Sequence, residues 1–130
     1  MRNERVEAFE SQLGDILKEI DRALEEAYGA TIQRHPARPA EGQTAHPQYD
    51  GAFAVIANFS AGIGSRYGAG YTLTLRIATL CPVNADLQTA CEALMVKMLR
   101  QRLPEVFPNR KLSVEHDNYG WKLFGDLSLD

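Results

Sequence analysis

Cysteine is scarce in this sequence: Cys81 and Cys91 are the only two in 130 residues. So few exclude a disulfide scaffold, and their placement, one before Pro82 and one inside a helical pattern, suits two reduced thiols in a reducing cytoplasm. Long hydrophobic runs are missing as well, and nothing approaches the roughly 20 apolar residues that cross a bilayer. The opening Met1-Arg2-Asn3-Glu4-Arg5-Val6-Glu7 is charged and leads into no apolar stretch, so neither a secretory signal nor a membrane anchor is expected. Neither sign of charge prevails: 14 Lys and Arg stand against 17 Asp and Glu, for a net charge of −3. That balance disfavours nucleic-acid binding through bulk charge. Gly 10 and Pro 6 are too few for a collagen-like or low-complexity chain.

What is present suits one soluble domain spanning 1–130, with 45% hydrophobic and 24% charged residues. Val6, Phe9, Leu13, Ile16, Leu17, Ile20 and Leu24 recur at steps of three and four, which predicts an amphipathic helix. Asn3 is placed to cap it and Gly29 to end it in a left-handed conformation. Residues 1–30 carry four basic and eight acidic side chains, so the exposed face of this helix is acidic. Residues 31–50 then lose all periodicity, and Pro36, Pro39, Pro47 and Gly42 predict a long flexible loop.

Two strands follow. Phe53, Val55, Ala57 and Phe59 alternate with Ala54, Ile56 and Asn58, and Tyr71, Leu73, Leu75 and Ile77 alternate with Thr72, Thr74 and Arg76. Gly62, Gly64, Gly68 and Gly70 make the segment between them the tip of a hairpin. A second helix begins after Asn84, with a core face of Leu87, Cys91, Leu94 and Met98 beside Ala90 and Met95, and Pro104 is expected to stop it. Leu112, Val114 and His116 alternate in a third strand, and Trp121, Leu123, Leu127 and Leu129 share a face of a fourth, with Gly125 at a bulge. The expected class is therefore α+β, in the order αββαββ, with two helices on one face of a four-stranded mixed sheet. The short connections around the second helix suggest that its flanking strands run parallel. Phe9, Leu13, Ile20, Leu24, Leu87, Leu94 and Met98 are the expected core.

No catalytic, cofactor or metal constellation emerges. The spacing Gly62-x-Gly64-x-x-x-Gly68-x-Gly70 differs from a dinucleotide fingerprint, and a strand follows where a phosphate site needs a helix. Gly64-Ser65-Arg66-Tyr67-Gly68 is not a nucleophile elbow. His35 and His46 stand in the proline-rich loop without supporting ligands, and His116 lies beside Glu115 and Asp117, whose side chains take the opposite strand face.

Two surface candidates remain. Lys97, Arg100, Arg102, Arg110 and Lys111 form a basic cluster, which reads first as a helix end complementing its dipole and second as a weak nucleic-acid surface. Arg66 and Tyr67 sit at the glycine-rich tip, expected to be mobile in the isolated chain, and they are of residue types enriched at interface hot spots. A small ligand-binding or regulatory module, its ligand between the 31–50 loop and the sheet, is a further reading.

Along most of its length the chain resembles the phage tail terminator and tail-completion proteins, the lambda-type family and a related Mu-like prophage tail-region family. The resemblance rests on the acidic first helix, Phe53-Ala54-Val55-Ile56-Ala57-Asn58-Phe59-Ser60, the Gly64-Ser65-Arg66-Tyr67-Gly68 tip and Tyr71-Thr72-Leu73-Thr74-Leu75-Arg76-Ile77. It extends to Glu115-His116-Asp117-Asn118-Tyr119-Gly120-Trp121-Lys122-Leu123, whose Gly120-Trp121 closing strand is its most specific part. The resemblance implies a non-enzymatic virion-assembly subunit that caps the tail tube as a homo-oligomeric ring, usually a hexamer. It implies tail-tube and head-completion proteins as partners.

Overall fold

The computed structural model describes residues 4–29, 52–62, 65–78, 83–117 and 120–127. Its elements are α1 (Glu4–Tyr28), β1 (Phe53–Ser60), β2 (Gly70–Ile77), α2 (Ala85–Val106), β3 (Leu112–Asp117) and β4 (Gly120–Gly125). The class is α+β. Asn3, the 31–50 loop with His35 and His46, Cys81 and Leu129 lie outside the described residues.

The strand order is β1-β2-β4-β3, and each adjacent pair is antiparallel. The mixed sheet expected from the sequence is thus corrected to a fully antiparallel one. β2 and β3, which flank α2, do point the same way, since both oppose β4. They are not neighbours because β4 turns back from β3 and takes the place beside β2, leaving β3 at the rim.

Register defines the two faces of the sheet. Val55 lies opposite Leu75, Tyr71 opposite Leu123, and Leu123 opposite Val114, so these side chains share one face. All join the buried cluster with Phe9, Leu13, Ile16, Ile20 and Leu24 of α1, and both helices therefore cover that face. Phe9 ties three elements together, stacking on Tyr71 with ring centroids 5.7 Å apart and on Phe107 at 4.7 Å.

In α1 the expected stripe is the buried stripe, although Gly29 does not take the left-handed conformation expected of it. In α2 the buried side differs from expectation. Cys91, Met95, Val96, Leu99 and Leu103 are buried, whereas Leu87, Leu94 and Met98 pack only at the margin of the core. Apolar residues lie all around this helix from position 94 to 99, so a 3.6-residue period does not select one face. Asn84 caps the helix as expected, its side chain accepting from the Asp86 N–H at 2.6 Å. Pro104 does not stop it: the helix runs to Val106, and Phe107 N–H closes onto Leu103 O at 2.8 Å. Pro104 gives up its own bond to the Arg100 carbonyl, and the Phe107–Leu103 bond carries the last turn past it. No basic residue falls in that last turn, so the expected complement to the dipole is replaced by other partners.

Candidate functional site

The sheet face away from the helices is where the hairpin tip lies. Strand alternation puts Asp117 and Lys122 on this face, where solvent would be expected, yet their relative exposures are 5% and 3%. The segment after β1 folds back over them. Gly62, at φ +97°, makes the bend, and a Cβ there would meet the Gly68 carbonyl carbon at 2.4 Å, so only glycine lets the two strands of the neck touch.

Side chains from β3 and β4 then fasten the loop. Lys122 Nζ donates to Ser65 Oγ at 2.7 Å and to the Gly68 carbonyl, with Asp117 Oδ2 at 3.9 Å. Asp117 accepts from Ser65 Oγ and, at 3.1 Å, from the Arg66 N–H. Ser65 Oγ also accepts the Tyr67 N–H at 3.1 Å. The Tyr67 ring lies flat on Phe124, with centroids 4.3 Å apart and planes 7° apart. Where the glycines predict a loose tip, the described residues of the loop are pinned. The Ser65 hydroxyl has its donor and two acceptor sites engaged, an arrangement that holds backbone in place.

The two interface candidates separate. Arg66 is exposed, whereas Tyr67 is half-buried against Phe124. The residues that sequence reasoning missed are Asp117, Lys122 and Ser65. The available signal was a lysine and an aspartate on one strand face opposite a loop long enough to fold across them.

The members of the basic cluster take different partners. Arg102 bridges the helices, with Nε and Nη2 donating to the two carboxylate oxygens of Glu19 at 3.0 and 3.1 Å and Nη1 to Glu105 at 2.5 Å. Those hydrogen bonds, Glu19 first, hold its guanidinium more firmly charged. Arg100 donates to Val114 O at 2.8 Å and Glu115 at 3.2 Å. Arg110 reaches Asp126 O at 3.2 Å and lies over the Phe9 ring. Lys97 and Lys111 are exposed. Lys97 and Arg100 do border a cleft of about 460 Å³ with Trp121, whose indole N–H donates to Glu92 at 2.9 Å.

His116 is exposed and meets Trp121 edge-on at 5.3 Å. Among the described residues no group of His, Cys, Asp and Glu is arranged to hold a metal ion. Cys91 is a free, fully buried thiol, and burial, with Glu92 adding to it, pushes its pKa up from 9.0. No helix among the described residues is long and apolar enough to cross a membrane.

Comparison with known proteins places the chain in a family. A family model described as "Uncharacterised protein" matches residues 4–125, which include all six elements. A protein of Borreliella burgdorferi, likewise described as uncharacterized, is 32% identical over 117 residues, covering 90% of this chain and 91% of its own length. No solved structure matches the chain.

Proposed function

This chain belongs to that family of uncharacterised proteins, and we propose that it is a non-enzymatic structural subunit of the phage tail-terminator or tail-completion type. It acts by joining copies of itself into a ring at the end of a tail tube, in the bacterial cytoplasm during assembly, and then by meeting a head-completion partner.

The observation that supports this reading is the pinned loop. Interfaces form more tightly when the contacting segment is already in its bound shape, because its ordering entropy is not lost on association. Here Lys122, Asp117 and Ser65 hold the loop's shape from beneath, and Arg66 stands exposed on it. The engagement of Arg102 by Glu19 and Glu105, and of Arg100 by Glu115 and the Val114 carbonyl, takes support from the nucleic-acid reading.

Sedimentation velocity and native mass measurement, alone and with a tail-tube protein, test the proposal. A closed oligomer that Arg66→Ala weakens is expected. A monomer at every concentration, with or without the tube protein, overturns it.

A further inference from the structure

The two rims of the sheet differ in how their backbone is protected. Rim strands carry unpaired N–H and C=O groups and invite a neighbouring strand unless charge or cover prevents it. At the β3 rim, the exposed Glu115 lies in the strand itself and Arg100 occupies Val114 O at 2.8 Å. β1, reading Phe-Ala-Val-Ile-Ala-Asn-Phe-Ser, contains no charged residue.

Among the described residues, cover protects only the first half of β1. Near its C-terminus α1 lies over the rim, where Glu25 Oε1 accepts Ala52 N–H at 2.5 Å and Asp21 Oδ1 accepts Val55 N–H at 3.0 Å. Toward its N-terminus the helix crosses inward onto β2, where Tyr71 Oη donates to Glu10 at 2.8 Å. Between these points the helix leaves the rim. The Val55–Asp21 bond also fixes parity: Val55, Ala57 and Phe59 turn their backbone groups away from β2, so at Ala57 and Phe59 they face the open side.

A knob and a hollow accompany this open stretch. Phe59 is 63% exposed. Beside it lies a cleft of about 320 Å³ bordered by Leu13, Gly14, Leu17 and Ala57, with Glu10, held by Tyr71 Oη, and Asn58 at its polar side. A Cβ at Gly14 would meet nothing within 4 Å.

We propose that the open half of β1 docks a second copy of this chain, strand to strand and antiparallel, about a two-fold axis at Asn58. Ala57 then pairs with Phe59 of the second copy and the reverse, giving two hydrogen-bonded pairs with four backbone bonds. Each Phe59 passes over the other chain's Ala57, on the helix side, into the hollow beside Gly14. Hollow and knob thus belong to the same patch, which a two-fold contact requires. A second copy fits better than an unrelated peptide because β1 supplies both halves of the contact. The inference stands apart from the tail-subunit reading, since a two-fold pair closes on itself without forming a ring.

Asn58 falls at a non-hydrogen-bonded pair, where facing Cα atoms are about 4.5 Å apart, within reach of a disulfide. Asn58→Cys is therefore expected to give a covalent dimer on mild oxidation. Wild type and Ser113→Cys, an exposed position on the other rim, give only background under the same oxidant. Phe59→Ala, with its unfolding midpoint monitored, is expected to weaken the dimer about tenfold or more in sedimentation equilibrium, as loss of an interface anchor does.

Failure of folded Asn58→Cys to cross-link overturns the proposal, as does equal cross-linking of Ser113→Cys. A ring whose stability ignores Phe59→Ala overturns it while sparing the tail-subunit reading. A Phe59-dependent dimer that never builds further with tail-tube protein upholds it and counts against that reading.

Discussion

Between the sheet and its helices, Phe53, Val55, Leu73, Val114 and Leu123 meet Ile20, Leu24, Met95 and Leu99 in an apolar layer. Across the same sheet, Lys122 and Asp117 are buried almost as completely, but under a loop and with their charges facing each other. Contacts in the first layer are non-directional, so a side chain of similar volume can often replace another. Those in the second are directional, and each partner's removal strands another. A buried pair of this kind adds little net stability over a well-packed apolar pair, yet it specifies where the loop must sit. The helix side thus supplies cohesion, and the loop side holds the described residues of a glycine-rich segment in one shape.

Breaking the polar layer should have the largest effect. Asp117→Ala removes the carboxylate that faces Lys122 and accepts Ser65 and the Arg66 N–H. It leaves an ammonium buried against neutral acceptors, for an expected loss of about 3–5 kcal/mol in urea unfolding. Asp117→Leu combined with Lys122→Met is expected to recover much of that stability while freeing the loop to proteolysis. If the single variant costs no more than an ordinary surface change, the polar layer does not hold the loop.

The helix side should respond to volume. Leu99→Ala, at 0% exposure, is expected to cost about 2–5 kcal/mol, with Leu94→Ala well below it because Leu94 packs only at the margin. The reverse order would restore the face predicted from the sequence.

That pair of residues also marks how far the sequence could be read. In α1 the apolar residues are separated by charged ones, so a single stripe satisfies the period and the structure buries it. In α2, Leu94-Met95-Val96 and Met98-Leu99 offer several stripes, and only the position of the sheet selects among them. The strands were legible as alternating pairs, but their antiparallel order was not, because nothing local to β3 or β4 states which of them sits beside β2. The pinned loop was the least legible feature. Asp117 and Lys122 look like solvent-facing strand positions, and their burial depends on a segment more than 50 residues away in the chain.

Cys91 reports on the apolar layer without disturbing it. Burial raises its thiol pKa, which withholds the reactive thiolate, so native labelling should be far slower than labelling in denaturant. The linkage has a definite sign. The unfolded thiol loses its proton first as pH rises, so Cys91 contributes stability that is present below its ordinary value of 9.0 and is lost progressively above it. An unfolding midpoint that falls above that pH in wild type, and falls less in Cys91→Ala, is the expected result. Rapid native labelling would show that the layer opens readily at this point.

Tyr67 and Arg66 give the smallest effects on folding and divide the two roles assigned to the loop. Tyr67 lies flat on Phe124, and such ring pairs are worth about 0.5–1.5 kcal/mol beyond the area they bury. Tyr67→Ala should therefore lower the unfolding midpoint modestly, and Tyr67→Phe, which keeps the ring, should restore most of it. Arg66 is exposed and ties itself to the fold through its backbone N–H, which alanine retains. Arg66→Ala should leave stability within about 0.5 kcal/mol, as exposed substitutions do, while weakening any assembly that uses the loop. A stability loss equal to that of Tyr67→Ala would place the arginine in the fastening of the loop and leave its surface without the contact residue assigned to it.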